Sequence, residues 1–104
     1  MREIWKYEFD DGLEKEITLP IGAVVRHVDS QRKYGDISDE VFMWIELDAD
    51  WEVESEGVED RRFYLIATGD RIPADMKYVG TAKVNKGQEF WHVYESNFTK
   101  RTTW

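Results

Sequence analysis

The chain contains no cysteine, only 2 prolines and only 2 histidines among 104 residues. Without thiols there is no disulfide framework, no thiolate zinc site and no cysteine nucleophile, so the fold must rest on packing alone and suits a reducing cytosol. No stretch approaches the roughly 18 consecutive apolar residues of a membrane span. The N-terminal MREIWKYEFDD lacks the unbroken apolar core of a signal peptide. These absences point to a soluble, cytoplasmic protein with no membrane partner. The catalytic signatures are missing too: there is no Gly-x-Ser-x-Gly elbow, no His-Glu-x-x-His pair and no glycine loop to cradle phosphate. No residue is assigned a catalytic role, no cofactor is implied, and the expectation is a protein that is not an enzyme.

What the chain does have is strand pattern. The length suits one domain over residues 1–104, with 96–104 a tail that shows no clear period. Trp5, Tyr7 and Phe9 alternate with Ile4, Lys6 and Glu8, Asp11-Gly12 signals a turn, and EITL follows, which together predict a hairpin. Residues 23–29, AVVRHVD, predict a third strand and residues 30–40 a loop. In VFMWIEL, Val41, Met43, Ile45 and Leu47 share one face of a fourth strand. RRFYLIAT gives a fifth, and Pro73 marks a place for one helical turn. MKYVGTAKV and QEFWHVYE flank the turn Asn85-Lys86-Gly87. Short strands separated by turn chemistry predict an all-β, mainly antiparallel fold, a small sandwich or open barrel of about six to seven strands with at most one short helical turn. Trp5, Phe63, Phe90 and Trp91 are the expected aromatic core.

Charge is the unusual feature. The chain carries 14 basic and 22 acidic residues, a net charge of -8. Eight of the acids and none of the bases fall between Glu46 and Asp60, so the remainder of the chain is balanced. Direct nucleic-acid binding is disfavoured, because that affinity comes largely from basic contacts to phosphate. In ELDADWEVESE, acids occupy every even position from Glu46 through Asp48, Asp50, Glu52 and Glu54 to Glu56, with Glu59 and Asp60 just beyond. If the segment is extended, carboxylates about 6.7 Å apart on one face imitate the spacing of phosphates along a strand. Trp51, set among them, has the makings of an anchor for a basic partner surface. The plainer alternative is a solvated face, whose five repulsions cost only about 1–2 kcal/mol in screened water. A calcium loop is a partial match through Asp48, Asp50, Glu52 and Glu59, but Val53 stands where the sharp turn needs glycine, so no metal is assigned. His27 and His92 sit within predicted strands and read as packed or surface imidazoles. Phe98 and Trp104, near Lys100 and Arg101, form a second candidate docking point.

The segments IWKYEF (4–9), PIGA (20–23), RRFYLIATGDRIP (61–73), YVGT (78–81) and HVYE (92–95) together resemble a family of short proteins of unknown function found in bacteriophages and their actinobacterial hosts. Relatives carry prolines where this chain has Ala49 to Glu52, which implies a loop there. The resemblance implies a small accessory protein acting inside the infected or host bacterium. Combined with the acidic segment, the expectation is a protein-binding inhibitor of a host or antiphage-defence factor, an anti-CRISPR or similar, acting as a DNA mimic through Glu46, Asp48, Asp50, Trp51, Glu52, Glu54, Glu56, Glu59 and Asp60. The alternative is a structural role, as a minor virion component or a homo-oligomer.

Overall fold

A computed structural model of the chain describes residues 1–9, 12–32 and 39–104. In chain order its elements are β1 (Arg2–Glu8), β2 (Glu14–Pro20), β3 (Val24–Arg32), β4 (Asp39–Asp48), α1 (Trp51–Glu54), β5 (Gly57–Ala67), β6 (Met76–Val84), a 3-10 turn (Asn85–Gly87), β7 (Glu89–Ser96) and β8 (Lys100–Thr103). The period-2 alternation of β4 organises them. Val41, Met43, Ile45 and Leu47 are all buried on one face, because successive strand residues point to opposite sides of a sheet. β4 is the centre of a three-stranded antiparallel sheet in the order β1-β4-β3. Facing it is a five-stranded sheet in the order β2-β5-β7-β6, with β8 also on β5. Phe63 and Val93 contribute fully buried side chains from β5 and β7, and Ile17 and Leu19 complete the cluster from β2. The architecture is an all-β antiparallel sandwich, not a closed barrel.

The two sheets come closest along β3 and β6. A Cβ at Gly80 would lie 2.9 Å from the Cβ and Cγ2 of Val28, so the missing side chain is what admits the valine. Beside this contact the Ser30 hydroxyl donates to the Lys83 carbonyl, and the Asn85 N–H donates to the Asp39 carboxylate at 2.9 Å. At one end of the core, Arg61 makes a bidentate ion pair with Glu95, at 2.6 and 2.9 Å, and gives a third bond to the Ala23 carbonyl at 2.8 Å. A cleft of about 310 Å³ lies above this pair, lined by Ala23, Val24, Lys77 and Tyr78 among others.

Several expectations need correction. β1 and β2 are not a hairpin: β1 pairs with β4 and β2 with β5, so the chain has passed from one sheet to the other between Phe9 and Glu14. Phe9, Ile17 and Leu19 reach one shared core from opposite layers, which a hairpin would not allow. Asp11 of the expected turn, and positions 33–38 of the expected loop, lie outside the described residues. Pro73 opens no helical turn, since residues 71–73 have no regular structure and β6 begins at Met76. The helical turn is instead α1. The Asn85–Gly87 turn is present, with φ of 52° at Asn85, 57° at Lys86 and 85° at Gly87. Of the expected aromatic core, Phe63 is buried and Trp91 packs against the cluster. Trp5 and Phe90, however, are 46% and 41% exposed. Trp5 is on a sheet-edge strand, and Phe90 is on the solvent side of β7, where alternation sends it when Trp91 points inward.

Candidate protein-binding surface

The acid-rich segment is not a single extended row. β4 carries Glu46 and Asp48 on its outer face and then stops, because the Asp48 carboxylate accepts the Asp50 N–H at 3.0 Å and turns the chain. From there the backbone closes one helical turn: the Val53 and Glu54 N–H groups donate to the Asp50 carbonyl at 3.0 and 2.9 Å, and Ser55 N–H donates to the Trp51 carbonyl at 3.1 Å. Gly57 then begins β5. The uniform spacing expected of an extended ladder therefore does not run through residues 46–56. A period of two in charge is compatible with a strand, a side-chain-closed turn and a helix in succession.

The eight carboxylates divide into two groups. Glu46 is clamped between Arg2 at 2.9 Å and Arg26 at 3.0 Å, and these two arginines, Arg26 first, hold its carboxyl below the ordinary carboxylate range. Glu59 pairs with Arg101 at 3.4 Å, and Asp60 accepts the Thr18 hydroxyl at 2.6 Å. These three are engaged by their own chain. The other five, Asp48, Asp50, Glu52, Glu54 and Glu56, surround α1. The Met1 amino group lies 3.2 Å from Asp48, 3.3 Å from Asp50 and 4.0 Å from Glu54. Among the described residues Glu52 and Glu56 make no ion pair. One ammonium against five carboxylates leaves a strongly negative surface. Crowding is visible in the ionisation: the Asp50 N–H keeps Asp48 below its usual range, and the Asp48 carboxylate pushes Glu54 up.

Asp48, Asp50 and Glu54 can bring one oxygen each within 4.8 Å of one another. The four residues matched to a calcium loop do not gather in this way. Glu59 belongs to β5 against Arg101, and Glu52 is outside the cluster.

Beside these carboxylates, α1 and the chain segment after β8 carry apolar side chains that are not fully covered. Val53 is 86% exposed on α1, two residues from Trp51 and so turned to a different side of the helix. Trp51 is half-buried, its ring centroid 6.0 Å from that of Trp104 and tilted by 38°. Trp104 reaches this place because β8 pairs with β5 in the register Gly57↔Thr103 to Asp60↔Lys100. Its backbone N–H donates to the Glu56 carbonyl at 3.0 Å, and its indole N–H donates to the Ser55 carbonyl at 3.1 Å. With both N–H groups satisfied, Trp104 still leaves 62% of itself exposed. Trp51 is thus where the sequence placed it, amid acids, but it is one half of a pair whose other half comes from the C-terminus. Sequence reasoning kept Trp104 apart from Trp51 and passed over Val53. The signal that joins them is weak but present: KRTT sets Lys100 and Arg101 opposite Asp60 and Glu59.

The two histidines hold no part of this surface. His27 lies on the outer face of β3 against Trp44, with centroids 5.4 Å apart. His92 is held by two hydroxyls, Thr68 at 2.9 Å and Thr81 at 3.0 Å.

A family model described as Domain of unknown function (DUF7352) matches residues 1–103. The chain belongs to this family. The match takes in every element of the DUF7352 fold described above, from β1 through β8. No curated protein and no solved structure matches the chain.

Proposed function

We propose that this protein acts by binding another protein, through the Trp51–Trp104 pair and the carboxylates on and beside α1, and that its partner presents a basic surface. The carrying observation is the coincidence of the Trp51–Trp104 pair, with Trp104 62% exposed, and a segment that contains no base. Tryptophan is enriched among residues that dominate interfaces, and its ring also accepts a lysine or arginine cation over its face. The surrounding carboxylates steer such a cation inward and repel acidic competitors. The class of partner that fits this chemistry is a nucleic-acid-binding factor of a bacterial host or of an antiphage defence system, including CRISPR effectors, whose phosphate-binding surface the acidic segment would occupy. The mimicry would work by sign of charge and by the tryptophan anchor, since the carboxylates are not spaced as an extended row. The phage and actinobacterial setting implied by the sequence resemblance agrees with this reading.

The test is retention of bacterial proteins on the immobilised chain, compared with a Trp51→Ala variant and with a variant carrying Ser at Asp50, Glu52, Glu54 and Glu56. The reading predicts a retained protein that both variants lose and that duplex DNA displaces. Equal retention by all three forms, or indifference to DNA, would contradict it.

A further inference from the structure

We propose that the cleft above the Arg61–Glu95 pair is a binding site, independent of the acidic segment, for a small organic carboxylate with a compact apolar body. The backbone builds this cleft. Val28 of β3 and Gly80 of β6 close the seam between the sheets, and beside that contact each strand carries one unmatched residue. On β3 it is Arg26, between the pairs Val25↔Ile45 and His27↔Trp44; on β6 it is Val79, between Tyr78↔Tyr94 and Gly80↔Val93. An extra residue bends its strand. Beyond both irregularities lies the cleft of about 310 Å³, with Val24 and Val25 contributed by β3 and Lys77, Tyr78 and Val79 by β6. A second hollow of about 320 Å³ shares Arg61, Lys77 and Glu95 with it and continues to Asn97 and Thr99. Either volume is at the lower end of small-molecule sites, which run from about 300 to 1,000 Å³.

The floor of the cleft supplies unused donors. A guanidinium has five N–H groups. Arg61 gives its Nε–H and one Nη2–H to Glu95 and one Nη1–H to the Ala23 carbonyl. Among the described residues, the second N–H on each terminal nitrogen has no partner. The side chain is only 10% exposed, and its guanidinium carbon lies 5.6 Å from the centroid of the Phe63 ring, so the group is fixed before a ligand arrives. Two such donors on one planar cation match the two oxygens of a carboxylate. Local charge has the same sign preference. Lys77 lies 3.7 Å from Glu95, so Arg61 and Lys77 against Glu95 leave one positive charge here in a chain whose net charge is -8. Glu59, which borders the second hollow, is offset by Arg101. Val24, Val25 and Val79 offer apolar contact, which favours an acid with a hydrocarbon body over a hydrated inorganic anion.

The probes are benzoate, benzamide and inorganic phosphate, each titrated into the full chain and followed by NMR of the backbone amides and of the Arg61 Nε–H. Benzoate should saturate one site, with shifts centred on Val24, the Arg61 Nε–H and Lys77 to Val79. Benzamide keeps the shape without the charge, and phosphate keeps the charge without the hydrocarbon; each should bind about tenfold more weakly or worse. Val24→Glu places a carboxylate on the cleft wall at a partly exposed position and should abolish benzoate binding. Lys77→Gln, at an exposed rim position, should leave the amide spectrum otherwise unchanged and weaken benzoate on the order of fivefold. Shifts that rise without saturating, equal binding of benzamide or of phosphate, or undiminished benzoate binding by either variant would overturn the proposal.

Discussion

Two carboxylates in this protein are displaced in opposite directions, and each has a physical cause that can be removed. Glu46, gripped by Arg26 and Arg2, is held below the ordinary range, so its contribution to stability is present at neutral pH and is lost as pH falls through its lowered pKa. Glu54 is raised by the neighbouring Asp48 carboxylate, so its charged form is disfavoured in the fold and protonation relieves that as pH falls through the raised value. Carboxyl titration by NMR should find Glu54 above Glu46, and Asp48→Asn should bring Glu54 down. A Glu54 indifferent to that substitution would show that the five carboxylates are not crowded around α1. The buried pair is a different matter. Arg61 and Glu95 have side chains only 10% and 5% exposed, and removing one partner strands the other charge in the core. Glu95→Ala is expected to cost about 3–5 kcal/mol in denaturant unfolding, whereas the joint replacement Arg61→Met, Glu95→Leu should recover most of it. A single-substitution loss well below ~1 kcal/mol would place the pair in water rather than in the core.

Among the elements, β8 determines whether the tryptophan pair exists. Gly57 has a φ of 154° and lies so close to β8 that a Cβ would stand 2.1 Å from the Thr102 carbonyl oxygen. Backbone cannot yield as a side-chain tip does, so Gly57→Ala should release β8 while the sandwich, whose core contains no β8 residue, remains folded. Hydrogen exchange would read this as lost protection at the Trp104 N–H, with β4 and β7 amides unaffected; retained protection would show that Trp104 is held by something other than β8. This dependence also explains what the sequence disclosed. β4 and the β6–β7 hairpin were legible because burial and turn chemistry impose their own periods on Val41 to Leu47 and on Asn85–Gly87. β8 was not, because KRTT has no apolar residue and is held by backbone pairing and by the charges of its neighbour. The segment after Glu46 was misleading for a related reason: Asp48 closes a turn with its own side chain, and alternating acids look the same whether or not that bond forms. Trp51 was found from its acidic surroundings alone, but its pairing with Trp104 depends on a strand register that no local pattern encodes.

At the scale of the whole molecule, the net charge of -8 equals the excess of acids in residues 46–60, and three of those eight acids are engaged by Arg2, Arg26, Arg101 and Thr18. The other five lie on and beside α1, which carries Trp51. Exposed charge of this kind acts at a distance set by the Debye length, about 8 Å at physiological salt, so it should appear chiefly as salt-sensitive association, while the tryptophans should govern how long a complex lasts. Trp104→Ala is accordingly expected to weaken a captured partner by about 2 kcal/mol or more, mainly through faster dissociation. The most direct measurement is the dependence of that partner's Kd on salt concentration, for the unaltered chain and for the variant with Ser at Asp50, Glu52, Glu54 and Glu56. Binding through these carboxylates predicts a steep weakening with salt in the first and a much shallower one in the second. Parallel slopes would contradict the account, because they would place the contacting charges elsewhere on the protein.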